Sequence, residues 1–220
     1  NLIKWYEPEP EMQPEDTIGL NKALELIKSG KRPLILVGGG VASKNGASEI
    51  LLSVMEKCKI PVVTTIMGKG AIPEKHEHCL GIVGMHGVPA ANMAISFCDV
   101  LIAVGTRFSD RVIGNPEKYK SNRCIIHVDI DHAELNKNII SDLCINMESD
   151  RVLKYIYENL DCGFDEWFDE CINYKKDFSM EIPNSNKLLP QYVISEISNR
   201  IDADTPVITD VGQHQMFSAQ

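Results

Sequence analysis

Leu34-Ile35-Leu36-Val37-Gly38-Gly39-Gly40 reads as a continuously apolar strand that breaks into three glycines before a helix. A strand without polar side chains suits a sheet covered on both faces, and residues without Cβ atoms at its end let a ligand approach the backbone closely. The helix that follows would turn free N–H groups and the positive end of its dipole toward that point, which favours an anion. The run is not a complete dinucleotide fingerprint, because Ser43 stands where G-x-G-x-x-G needs its third glycine.

Outward from this strand the pattern repeats. Upstream, from Thr17, Leu20, Ala23, Leu24 and Ile27 have helical spacing that Gly30 ends, and downstream Ala47, Ile50, Leu51, Val54, Met55 and Cys58 recur at three and four residues. Further apolar runs at Val62–Ile66, Val100–Val104, Cys124–Ile130 and Leu143–Ile145 predict strands, with helical segments at Ala90–Cys98 and Ser149–Leu160. Apolar strands alternating with amphipathic helices predict an α/β fold, a Rossmann-like parallel sheet with helices on both faces. Such sheets bind ligands beyond the carboxyl ends of their strands, where the glycine-rich and polar stretches of this chain all fall.

Four stretches organise the chain. Residues 1–16, with Glu7-Pro8-Glu9-Pro10 and Pro14-Glu15-Asp16, read as a linker, and 17–162 as the sheet domain. Residues 163–187 hold one more apolar stripe, Phe164, Trp167, Phe168 and Cys171, then a polar linker from Asp177. Residues 188–220, with Pro190 at a helix start and a predicted strand at Val207–Thr209, look like the opening of another α/β unit, so both ends read as cut from a longer polypeptide.

With 220 residues, 44% hydrophobic, the chain can bury a substantial core. Its formal charge of −9 argues against nucleic acid or an anionic membrane as a partner, since both attract basic surfaces. No apolar run approaches the ~20 residues of a membrane span and no leader is readable, so a cytoplasmic location is expected. Seven cysteines without C-x-x-C spacing fit buried thiols in a reducing compartment better than disulfides or zinc.

Several motifs carry chemistry. Thr65-Ile66-Met67-Gly68 follows the second strand, and Gly84-Met85-His86-Gly87 presents a thioether and an imidazole on bare backbone, suited to the face of a flat ring or, for His86, simply a loop histidine. Gly105-Thr106-Arg107-Phe108-Ser109-Asp110-Arg111 puts two guanidiniums four residues apart, a pair suited to phosphate, unless Asp110 neutralises one of them. Asp129 ends a strand where nucleotide-binding folds take a ribose hydroxyl; Asp131 is read as a helix cap, with Glu134 completing a capping box. P-loop, zinc-protease and nucleophile-elbow motifs are absent. A large dinucleotide is the expected ligand.

These motifs, with His127-Val128-Asp129-Ile130-Asp131 and Val211-Gly212-Gln213-His214-Gln215-Met216, resemble the acetolactate synthase large-subunit family of thiamine-diphosphate enzymes. The resemblance covers nearly the whole chain. It implies the central domain of a three-domain enzyme, holding FAD without net redox turnover, joined to the start of the third domain. The FAD site would involve Gly38, Gly39, Gly40, Thr65, Ile66, Met67, Gly84, Met85, His86, Gly105, Arg107, Asp110, Arg111, Asp129 and Ile130. Gln213 and His214 match family positions that touch the cofactor's diphosphate. The activating glutamate and the magnesium ligands of the family lie in other domains, so no catalytic or metal residue is expected here. The resemblance further implies 2-keto acid substrates, branched-chain amino-acid biosynthesis, a homodimer or homotetramer and, in some members, a small regulatory subunit. Ser109 and Met147-Glu148 depart from the family pattern, which usually has aspartate and Gly-Asp. The rivals are glyoxylate carboligase, pyruvate oxidase, a 2-keto acid decarboxylase, or a stand-alone dinucleotide-binding module.

Overall fold

Every residue of β1 (Pro33–Val37) is buried, and its side chains alternate between two separate cores. Ile35 and Val37 join one, Leu34 and Leu36 the other, as the two-residue period of a strand requires. β2 (Val62–Thr64), β3 (Cys79–Ile82), β4 (Val100–Val104), β5 (Cys124–Asp129) and β6 (Leu143–Asn146) complete one sheet. The spatial order is β3-β2-β1-β4-β5-β6, and every pairing is parallel. This is the strand order of a doubly wound sheet, and it confirms the α/β class read from the apolar runs. This computed structural model describes residues 14–202 and 205–220, with side chains from Asp16 onward; most of the stretch read as an N-terminal linker lies outside them.

The helices sort themselves by those two cores. α1 (Pro14–Ser29) and α3 (Ala47–Cys58) cover one face, together with α7 (Ser149–Asn159). α1 begins three residues ahead of Thr17, with Pro14 opening the helix, a position where a missing N–H costs nothing. A one-turn helix α2 (Gly39–Ala42) lies between β1 and α3. On the opposite face lie α4 (Pro89–Phe97), the short turns α5 (Asp110–Ile113) and α6 (Pro116–Lys120), and α8 (Asp165–Asp177). α8 buries Trp167, Phe168 and Cys171, and Trp167 Nε1 donates to the Pro33 carbonyl at 2.9 Å, tying the helix to the amino end of β1.

Four local expectations need correction. The second strand stops at Thr64; Ile66–Gly68 is a 3₁₀ turn capped by Thr65, whose Oγ1 accepts from Gly68 N–H at 3.1 Å. Cys79–Ile82, where the apolar runs predict no strand, forms the edge strand β3. The capping box does not form: Asp131 Oδ1 accepts from Ala133 N–H, but Asp131 N–H donates to Asp129 and Glu134 pairs with Lys137 at 2.8 Å. No strand forms at Val207–Thr209, because none of the six strands borders it and a strand without a neighbour leaves its backbone unpaired. α9 (Pro190–Ser198) and α10 (Gln213–Ala219) pack on each other outside the sheet.

Candidate functional site

β1 and β4 lie side by side, yet the chain leaves them toward opposite faces: from β1 into α3, from β4 into the Phe108 and Tyr119 core. Loops that part in this way open a crevice at the carboxyl end of the sheet, the switch point where doubly wound folds take ligands. The parting is incomplete at first, because the ladder runs on past the strands. Gly38 N–H donates to Val104 O at 2.9 Å, Gly105 N–H to Val128 O at 2.8 Å, Thr65 N–H to Val37 O at 2.8 Å and Val83 N–H to Thr64 O at 2.9 Å. Four exit loops are thereby held in one row along the rim of a cleft of about 1090 Å³.

The structure brings most of the anticipated residues to this cleft. Gly39, Gly40, Thr65, Ile66, Met67, Met85, His86, Gly105, Arg107, Arg111, Asp129, Ile130 and Gln213 line it. Gly38, Gly84, Asp110 and His214 stand outside the lining. For two of them the reason is packing. A Cβ on Gly38 would sit 2.0 Å from Gly105 O, and one on Gly84, at φ +107°, would sit 2.4 Å from Arg111 O. These glycines let neighbouring loops touch. The Asp110 side chain is 86% exposed and folds onto its neighbour, accepting from Arg111 N–H at 2.9 Å with Arg111 Nε 3.9 Å away. The His214 ring lies against its own Gly212.

The amides of the glycine run are mostly spoken for, contrary to the anion-at-a-helix argument. Gly38 N–H goes to Val104 O, Gly40 N–H to Gly105 O at 3.0 Å, and the helix that follows is a single turn. Positive charge instead comes from side chains. Arg107 projects from the loop after β4, and among the described residues no carboxylate lies within ion-pair distance of it. Arg111 Nη1 lies 4.0 Å from Met85 Sδ, and Met85 N–H donates to Arg111 O at 2.9 Å, so the thioether loop and the second guanidinium form one wall. At the other end, Asp129 is 9% exposed and accepts from Asp131 N–H at 2.9 Å. Val211, Gly212, Met216 and Ala219 close the remaining side, and Gln220 Nε2 donates to His86 O at 3.0 Å.

Several supporting residues escaped the sequence argument. Asn92 of α4 clamps Gly84 from both sides, accepting its N–H at 2.9 Å and donating to its carbonyl at 3.1 Å. Asn146 Nδ2 donates to Asp129 O and Ile130 O at 2.9 and 2.8 Å, and Ser149 Oγ donates to Gly40 O at 3.1 Å. His127, buried in β5, approaches Thr106 O with Nε2 at 2.8 Å, and burial holds its pKa below the usual value. A polar residue two places before Asp129 in an apolar strand was a readable signal for His127. Met147 is buried in the core and Glu148 pairs with Lys44 at 2.9 Å; neither reaches the cleft.

Residues 20–156 match the family model described as thiamine pyrophosphate enzyme, central domain. The chain belongs to the thiamine pyrophosphate enzymes. The chain is similar to acetolactate synthase large subunits: 42% identity to the probable large subunit of Methanococcus aeolicus and 43% to that of Methanocaldococcus jannaschii, each over 91% of this chain. The large subunit of Lactococcus lactis is 36% identical over the whole chain. The chain spans 36%, 36% and 38% of these three relatives, little more than a third of each. No helix among the described residues is long and apolar enough to cross a membrane.

Proposed function

We propose that this chain is the central part of an acetolactate synthase large subunit and that its cleft holds FAD. The observation that carries the proposal is the alignment of bare backbone, two arginines and a strand-end carboxylate along one crevice at the switch point between β1 and β4. A crevice of about 1090 Å³ suits a dinucleotide, and its residues fit one from end to end. Arg107 and Arg111 would hold the pyrophosphate, Asp129 the ribose, and the Met67, Met85 and Ile130 side chains the flat rings. Gly40 lets the β1 and β4 exit loops meet at the cleft wall: a Cβ there would lie 2.8 Å from Gly105 Cα. In this proposal FAD braces the domain and undergoes no net redox turnover.

Thiamine diphosphate needs more than these residues. In this proposal the magnesium-bound diphosphate is held mainly by other parts of the polypeptide, with Gln213 and His214 as the residues that the family resemblance places against the cofactor's diphosphate. When bound, that cofactor supplies the chemistry that decarboxylates pyruvate and joins its two-carbon unit to a second 2-keto acid, opening branched-chain amino-acid synthesis. Division of the chain into a dinucleotide-binding domain over 17–162 and the start of a third domain from 188 is supported by α9 and α10 packing together outside the sheet. A cytoplasmic homodimer or homotetramer, with a small regulatory subunit in some settings, accords with the similarity to large subunits.

The test uses the complete polypeptide that contains this chain. Stripped of flavin, it should bind FAD with a rise in Tm and turn pyruvate over to acetolactate once thiamine diphosphate and magnesium are added. Replacement of Arg107 by alanine should weaken FAD about tenfold, the loss of one charged hydrogen bond. No Tm shift with FAD or ADP would refute the dinucleotide site. FAD binding without acetolactate formation would leave the site standing and refute the assignment of activity.

A further inference from the structure

Arg107 sits on a loop whose backbone takes two unusual turns. Gly105 has φ +60° and Phe108 has φ +48°, and a left-handed bulky residue is a strained choice that surrounding structure must hold in place. Phe108 is 1% exposed, with its ring edge-on to His127 at 4.8 Å and to Tyr119 at 6.1 Å. Between the two turns lie the carbonyls of Thr106 and Arg107, and each meets a side chain from elsewhere in the fold. His127 Nε2 is 2.8 Å from Thr106 O, and Asn138 Nδ2 donates to Arg107 O at 2.8 Å. A carbonyl can only accept, so His127 must carry its proton on Nε2. That leaves Nδ1 as a bare acceptor, buried with no partner among the described residues. A buried polar atom left unpaired is destabilising, so a histidine here is a poor choice for packing alone, and an apolar residue would fill the same space without that cost.

We propose that His127 and Asn138 are positioning residues for Arg107: by gripping the carbonyls on either side of its Cα, they set the direction in which its guanidinium enters the cleft. This rests on the reading of the cleft as a dinucleotide site. Neither residue touches the cleft itself; both act through the loop. The arrangement explains two otherwise isolated facts, a polar side chain in the middle of β5 and a surface asparagine spent on a backbone carbonyl instead of solvent. With no carboxylate partner at Arg107, the main chain is the part of this residue that other elements hold.

The test is a double-mutant cycle in the complete polypeptide, read as FAD affinity at two salt concentrations. H127F and N138A should each weaken FAD about tenfold, the loss of one well-aimed charged contact, in the background that keeps Arg107. In the R107A background each should weaken it less than about twofold, because the residue through which they act is gone. Their salt dependence should fall toward that of R107A, an effect that loss of folding stability does not produce. H127Q, which retains an N–H able to reach Thr106 O, should restore most of the affinity. N138A alters an exposed residue and should leave Tm unchanged, so it carries the test even where H127F folds poorly. Unchanged affinity in N138A and H127F, or equal losses in both backgrounds, would overturn the positioning role alone. Failure of the parent protein to bind FAD, or full affinity in R107A, would overturn the cleft assignment and this proposal together.

Discussion

Replacing Gly38 with alanine separates loop packing from ligand contact at the carboxyl end of the sheet. The added Cβ would lie 2.0 Å from Gly105 O, 2.6 Å from Gly105 C and 2.7 Å from Thr106 Cα. All three are backbone atoms, so no rotamer relieves the overlap. Bringing the 2.0 Å contact to the 3.0 Å that real Cβ atoms tolerate moves the β1 and β4 exit loops apart by 3.0 − 2.0, or about 1 Å. A shift of that size stretches Gly38 N–H to Val104 O, now 2.9 Å, and Gly40 N–H to Gly105 O, now 3.0 Å, beyond useful length. Overpacking costs about 1–3 kcal/mol and each lost hydrogen bond about 1 kcal/mol, so G38A should lose roughly 3–5 kcal/mol. For a chain of this size that lowers Tm by roughly 6–20 °C. G39A is the control. Its Cβ meets nothing nearer than Met67 at 3.4 Å, an ordinary contact, so it should stay within about 1 kcal/mol of the parent while its methyl group, on the cleft wall, weakens FAD. Urea denaturation with an unchanged slope measures both. A G38A variant as stable as G39A would refute the reasoning, because the two loops would then be free to separate without loss.

Other consequences are measurable in the same way. His78 is fully buried, stacked on Phe168 at 4.2 Å, and burial holds its pKa below 6.5; the unfolded chain therefore binds a proton first, so stability is full above about pH 6.5 and falls as the pH drops below it. H78F should flatten that fall in urea midpoints between pH 7 and 5. Burial pushes the Cys58, Cys79 and Cys98 thiols up to about 11, so a disulfide reagent at pH 8 should reach them only on unfolding and the half-buried Cys124, Cys144 and Cys162 sooner. W167F loses the bond to Pro33 O and leaves that carbonyl buried, a cost of about 1–3 kcal/mol in urea unfolding. Trp167 meets β1 at its amino end, away from the cleft, so FAD affinity should not change.

Five of the six strands were legible because each is an apolar run with turn signals around it, four of them almost wholly buried and the edge strand β6 only in part. The sixth, β3, escaped notice for physical reasons. Cys79–Ile82 is four residues long, lies at the sheet edge, contains Gly81 at φ +95° and pairs with β2 through a register irregularity. Such a strand is held by its neighbour more than by its own pattern. Val207–Thr209 is the converse case: its composition suits a strand, yet Ile208 is 94% exposed because no sheet is there to receive it. A strand is a property of two segments, and a single run of residues supplies only one of them.

The site was legible in its side chains and less so in its glycines. Arg107, Arg111 and Asp129 follow strand ends, and a parallel sheet brings every strand end to one side, so topology alone carries them to the cleft. A glycine says only that a Cβ is unwelcome, not which neighbour refuses it. Of the run at 38–40, Gly38 is refused by the adjacent loop, Gly39 by nothing nearer than Met67, and Gly40 by Gly105 while it also faces the cleft. The anion argument drawn from that run assumed free amides, but Gly38 and Gly40 spend theirs on the β4 side. What the glycines supply is closeness between two strands whose chains then diverge. That closeness brings Arg107, the next side chain but one after Gly105, to the cleft wall beside bare main chain, so in the proposed dinucleotide site any attraction for phosphate would rest on the arginines while the glycines make the room.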